Sequence, residues 1–90
     1  MPERSVVVAS ALGLHARPAA VFSRAAASVP VVVTVTNAGG RGVPAASILG
    51  VLSLGVSQGD EVTLSAEGDG ADAALDSLVE LLGRELDDDE

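Results

Sequence analysis

The 90-residue chain reads as one two-layer α/β sandwich with the element order βαββαβα. Three observations predict it. Residues 71–86 carry an apolar stripe at helical spacing, and residues 16–27 carry a second one. Residues 33–36 and 61–66 alternate apolar with hydroxyl or charged side chains, the mark of a sheet with one covered and one wet face. Gly, Pro and Asn clusters separate these stretches at short intervals.

Taken in order, Ser5 to Ala9 is the first strand, rich in β-branched residues. Ser10 to Leu14 is a loop, and a helix follows over about Ala16 to Ala27. Its residues Ala19, Phe22 and Ala26, with Val29 beyond them, recur at core-facing spacing. Val29-Pro30 ends it. Val31 to Thr36 is the second strand, Asn37 to Gly40 a turn, and Arg41 to Ala45 a short third strand. Pro44 has no N–H to give to a ladder, which puts that strand at an edge.

Ser47 to Leu54 is a short second helix, with Ser47 a plausible N-cap and Gly55 a natural stop. Glu61 to Ala66 is the fourth strand. The last helix is marked by Ala71, Ala74, Leu75, Leu78, Val79, Leu82 and Leu86 on one side and by Asp72, Asp76, Glu80 and Arg84 on another. Residues 87–90 form an acidic tail, unfavourable at a helix C-terminus, and are expected to fray into solvent. No repeat or linker divides residues 1–90, so a single domain is expected.

With one phenylalanine and no tryptophan or tyrosine, the core must be built from Val, Leu and Ala. There is no cysteine, which excludes disulfides and thiolate metal sites. No apolar run is long enough for a membrane span or a signal peptide. The chain therefore reads as a soluble cytoplasmic protein without membrane insertion.

The net charge of -8 is unevenly spread. Residues 4–59 carry four arginines and no acid, whereas residues 60–90 carry twelve acids and one arginine. Overall acidity and the lack of stacking aromatics argue against nucleic acid. The local positive region favours phosphate and acidic protein surfaces instead.

That region holds the only histidine, in Gly13-Leu14-His15-Ala16-Arg17-Pro18-Ala19-Ala20. Proline is tolerated in a first helical turn, so the stretch reads as a loop becoming a helix with His15 at the junction. The backbone amides of Ala16 and Arg17 then lie at the positive end of the helix dipole, a place that suits anions. A lone histidine is commonly just a helix cap or a satisfied core ring. Here a metal site is disfavoured, because no second histidine or cysteine exists and acids are absent from residues 4–59. No Gly-x-Ser-x-Gly elbow is present for a serine hydrolase. What remains is the imidazole as its own nucleophile towards a phosphoryl group. The helix terminus disfavours imidazolium, so the His15 pKa is expected to be lowered in the free protein and raised after phosphorylation.

Gly-Leu-His-Ala-Arg-Pro-Ala resembles the active-site signature of the HPr family, the histidine phosphocarriers of the bacterial phosphoenolpyruvate-dependent sugar phosphotransferase system. A second stretch, Ser47-Ile48-Leu49-Gly50-Val51-Leu52-Ser53-Leu54-Gly55 followed by Gln58-Gly59, resembles the same family, and the similarity covers nearly the whole chain. The resemblance implies an open-faced β-sandwich: a four-stranded antiparallel sheet in the order 1-4-2-3 with three helices on one face. It implies phosphorylation of His15 at Nδ1 and places Arg17 as the charge partner of the phosphate.

It further implies that Ser47 matches a regulatory serine, which a dedicated kinase phosphorylates and a phosphatase restores in some members. The other reading of Ser47 is that it only caps the second helix. Arg24, Ile48, Leu49 and Leu52 match the region used to dock partners. A two-turn helix that is apolar nearly all round should in any case leave part of itself exposed. Gly50 stands where some members carry a basic residue.

The expected function is that of a monomeric phosphoryl carrier, not a stand-alone enzyme, needing no cofactor and no metal. It would take phosphate from Enzyme I and give it to a sugar-specific enzyme IIA. The alternatives are a regulatory binding module controlled at Ser47, and a carrier in a nitrogen-related or dihydroxyacetone-kinase-type relay.

Overall fold

The computed structural model describes residues 2–9 and 16–83, with Ala16 by its backbone alone. The described elements are β1 (Glu3–Val7), α1 (Ala16–Ser28), β2 (Val33–Thr36), β3 (Gly42–Pro44), α2 (Ile48–Ser53), β4 (Glu61–Ala66) and α3 (Ala71–Leu82). The strands form one antiparallel sheet in the order β1-β4-β2-β3. This is the order implied by the family resemblance.

Alternation decides which side of the sheet is covered. Val33 and Val35 of β2 and Val62, Leu64 and Ala66 of β4 are buried, while Thr34, Thr36, Thr63 and Ser65 between them are half-buried. Helix α3 packs on β1 and β4, α2 packs on β3, and α1 packs against both other helices. The smallest dimension of the molecule, 20 Å, is that of two layers stacked at about 10 Å each. Phe22, the only aromatic residue, is fully buried among valine, leucine and alanine. At about 25 cal/mol per Å² of apolar surface, such a core gains its stability from many small side chains.

Three element boundaries differ from the sequence expectation. The first strand was expected at Ser5 to Ala9 but lies at Glu3–Val7. Glu3 and Arg4 are drawn into the ladder because β4 runs on to Ser65 and Leu64 opposite them. Arg4 is further held by Asp76 and Asp72, each at 3.0 Å. These carboxylates raise the Arg4 pKa above its ordinary value, chiefly through the hydrogen bond to Asp76.

The second strand begins at Val33, not Val31. Its partners run out there, since Val33 faces Ala66, the last residue of β4. Val32 is left 80 % exposed. The third strand is trimmed to Gly42–Pro44, though Asn37 N–H to Arg41 O and Ala45 N–H to Val33 O continue its pairing at both ends. Pro44 does sit on an edge strand, opposite Thr34.

In α3, Ala71, Ala74, Leu75, Leu78 and Leu82 are buried and Val79 is half-buried, with Gly83 as C-cap. Leu86, Arg84, the acidic tail and the loop from Ser10 to Leu14 lie outside the described residues.

Candidate functional site

The site is built where α1 begins. Its first described helical residue is Ala16, which puts Pro18 in the first described turn, where a helix amide has no intrahelical partner to lose. Pro18 and Ala19 are buried, which fixes this turn against the core. The backbone amides of Ala16 and Arg17 therefore belong to the positive end of α1. His15, the preceding residue, lies outside the described residues, as does Gly13.

Arg17 and Arg24 are both exposed. Seven residues separate them, which at 3.6 residues per turn returns the chain to nearly the same azimuth about 10 Å further along the helix. Both arginines therefore lie on one exposed side of α1, and the core face of Ala19, Phe22 and Ala26 is turned away from it.

Helix α2 is the second component. Ser47 is its N-cap, in an extended conformation, and the Ser47 Oγ accepts a hydrogen bond from the Gly50 amide at 3.1 Å. Leu54 caps the other end, and Gly55 follows at φ +66°, the left-handed conformation that lets the chain leave the helix. Val51 and Leu54 turn inward and are buried. Ile48 is 41 % exposed and Leu49 77 % exposed, while Leu52 is half-buried. So the expected apolar patch exists, centred on Leu49, with Leu52 at its inner margin.

Gly50 has a local reason to be small. A Cβ there would stand 3.2 Å from both the Val43 Cβ and the Ser47 Oγ. The glycine lets α2 lie close on β3 and leaves room for the Ser47 cap. A basic side chain at this position would need the helix or Val43 to give way.

Because α1 packs on α2, the structure brings the arginine-bearing helix beside the helix that exposes Ile48 and Leu49. Two described features escaped sequence reasoning. One is the Arg4 bridge from β1 to α3. The other is a hydrogen bond from the Gln58 side-chain amide to the Ala9 carbonyl, 3.1 Å long and 49 residues apart in sequence. No short-range pattern signals either, since both depend on which segments the fold brings together.

No helix among the described residues is long and apolar enough to cross a membrane.

Comparison with known proteins gives a consistent result. A protein-family model described as "PTS HPr component phosphorylation site" matches residues 2–84. Phosphocarrier protein HPr of Streptomyces coelicolor is 48% identical over 88 residues, covering 98% of this chain and 95% of that protein. Phosphocarrier protein NPr of Shewanella violacea is 37% identical over 86 residues, covering 96% and 93%. The crystal structure of HPr from Bacillus anthracis superposes with a TM-score of 0.86 at 33% identity, covering 90% of this chain and 95% of that one. With the 1-4-2-3 sheet and the Gly-Leu-His-Ala-Arg-Pro signature at the head of α1, these matches mean that the chain belongs to the HPr family of phosphocarrier proteins.

Proposed function

We propose that this chain accepts a phosphoryl group on His15 from phosphorylated Enzyme I and passes it to a histidine of a sugar-specific enzyme IIA. The observation that carries the reading is the start of α1 at Ala16, immediately after the only histidine, with Arg17 exposed on the first turn.

In the transfer, neutral His15 presents a lone pair on Nδ1 and keeps its proton on Nε2. Nδ1 attacks the phosphorus held on the donor imidazole. A new N–P bond forms at His15 as the donor N–P bond breaks, and the donor ring keeps that electron pair. No proton has to change hands. Arg17 and the first-turn amides of α1 balance the charge on the phosphoryl oxygens through charge-assisted hydrogen bonds. The second transfer, to enzyme IIA, is the same step with His15 as donor.

Both partners dock on the face made by Arg24 with Ile48, Leu49 and Leu52. An exposed leucine on a short helix gives a dry contact, and arginines at its margin orient an acidic partner. The carrier works as a monomer in the cytoplasm, and its complexes are short-lived because it must leave each partner quickly.

The test is phosphorylation with phosphoenolpyruvate, Mg²⁺ and Enzyme I, comparing wild type with His15→Ala. The expected result is an acid-labile phosphate on the wild type only. Absence of label with an active Enzyme I would refute the carrier role. An NMR titration in which the His15 pKa fails to rise on phosphorylation would refute the helix-terminus account.

A second reading, regulation at Ser47, is favoured by one observation. Ser47 caps α2 directly beside the exposed Ile48 and Leu49. A phosphate there would be tolerated by the helix N-terminus and would place negative charge on the docking face. Phosphorylation of Ser47 by a serine kinase, followed by slower acceptance of phosphate from Enzyme I, is the expected result. Unchanged acceptance by Ser47-phosphorylated protein would remove the regulatory reading.

A further inference from the structure

Gln58 belongs to the second sequence motif, yet neither phosphate binding nor the docking face uses it. It lies in the turn Ser57–Asp60, which is closed in both directions. The Asp60 amide donates to the Ser57 carbonyl at 3.0 Å, and the Ser57 amide donates to Asp60 Oδ2 at 3.0 Å. Gly59 takes φ +90° at the third position, where a side chain would be strained. The turn is therefore a fixed platform.

What it holds is the end of the first strand. The Gly59 amide donates to the Val8 carbonyl, and the Val8 amide donates to the Asp60 carbonyl, each at 2.9 Å. The Ala9 amide donates to the Leu82 carbonyl, at the end of α3, at 3.1 Å. The fourth polar group of this pair of residues, the Ala9 carbonyl, accepts from Gln58 Nε2 at 3.1 Å. Three of the four bonds are backbone to backbone. Only the last depends on which side chain is present.

The orientation of a carbonyl fixes ψ of its residue, and so the direction in which the chain continues. After Ala9 the chain runs through residues 10–15 to His15 and the fixed first turn of α1. We infer that Gln58 is a positioning residue for phosphoryl transfer: it holds the Ala9 carbonyl and thereby sets the departure of the segment that carries His15. This rests on the carrier reading above. Gln58 is exposed, so water can replace the bond when it is lost, and the fold should barely notice. The effect should instead appear in the fraction of molecules whose imidazole is ready to react.

The test uses the full chain as Q58M, which keeps length without the amide donor, and Q58K, which restores a donor at similar reach. Single-turnover transfer from phosphorylated Enzyme I is the assay. For Q58M the maximal rate should fall about three- to tenfold, the bias that one ordinary hydrogen bond can supply, with KM within about twofold of wild type. Hydrolysis of the isolated phosphohistidine should change its half-life in the same variant, without any partner present. Thermal unfolding should be unchanged, and Q58K should recover most of the rate. Wild-type rates and half-life in Q58M would overturn the inference. So would a rate loss that follows a fall in Tm and is not recovered by Q58K. If the wild type itself takes no phosphate on His15, the carrier reading fails first and this inference falls with it.

Discussion

Ser23 is 95 % buried by its exposure of 5%, and its hydroxyl has no hydrogen-bond partner among the described residues. It follows Phe22 on the inward side of α1. Replacing it by alanine removes a desolvated hydroxyl, which mutational data price at about 1 kcal/mol at the low end. Alanine is also the better helix former, by about 0.5 kcal/mol. Against this stands the lost packing of one oxygen atom, about 0.3 kcal/mol at 24 cal/mol per Å³ of cavity. The expected net gain is about 1 kcal/mol, which raises Tm by about 4–8 °C in a domain of this size.

Reversible thermal and urea unfolding of Ser23→Ala would measure it, with the midpoint moving up and the urea slope unchanged. Phosphoryl transfer should stay at the wild-type rate, because Ser23 is buried while Arg17 and Arg24 are exposed. An equal or lower Tm would refute the reasoning. It would mean that the hydroxyl is bonded in solution, with the carbonyl of Ala19 one turn earlier as the nearest helical acceptor.

Three further outcomes are expected. Leu49→Ala should raise KM for transfer about tenfold, the worth of a leucine half covered at an interface, while leaving Tm alone because Leu49 is 77% exposed. Ser47→Ala should lower Tm by about 4–8 °C through loss of the bond to the Gly50 amide, whereas Ser47→Asp should keep most of it. Arg4→Met should cause a small loss of Tm that disappears at high salt, since both carboxylate partners are exposed. Because the Arg4 pKa is raised in the fold, its contribution is complete at neutral pH and is lost only as pH rises through that raised value.

The sequence revealed most of this fold because its signals are local. The stripe from Ala71 to Leu82, the alternation from Glu61 to Ala66 and the Ser47 cap all depend on residues within a turn or two of one another. The errors arose where a distant partner decides. The valine run 31–33 reads as strand throughout, but β4 ends opposite Val33 and the first two valines have nothing to pair with. Glu3 and Arg4 read as a polar N-terminus, but Ser65 and Leu64 pair with them and Asp72 and Asp76 hold the guanidinium. Of the site, the motif named His15 and Arg17; hydrophobicity said only that part of α2 would be exposed, and the family resemblance singled out Ile48, Leu49 and Leu52. The Gln58 tie to Ala9 was invisible for the same reason as the Arg4 bridge.

The division of labour within α2 explains how so small a domain keeps an exposed apolar face. A helix of six residues has too few internal hydrogen bonds to form alone. It persists because Ser47 satisfies its first turn, Gly50 lets it approach Val43, and Val51 and Leu54 are buried. Those anchors leave Ile48 and Leu49 with no structural duty, so they can face solvent without loosening the core. Helix α1, packed on α2, carries the exposed Arg17 and Arg24, while the exposed acids Asp72, Asp76 and Glu80 are carried by α3. A chain of net charge -8 would repel an acidic partner if that charge were uniform. Segregated, the same charge would turn an approaching acidic surface towards α1 and α2, so that the encounter would begin at the proposed docking face. Association with such a partner should therefore slow as salt rises, while the dry contact at Leu49, once made, should depend on salt much less.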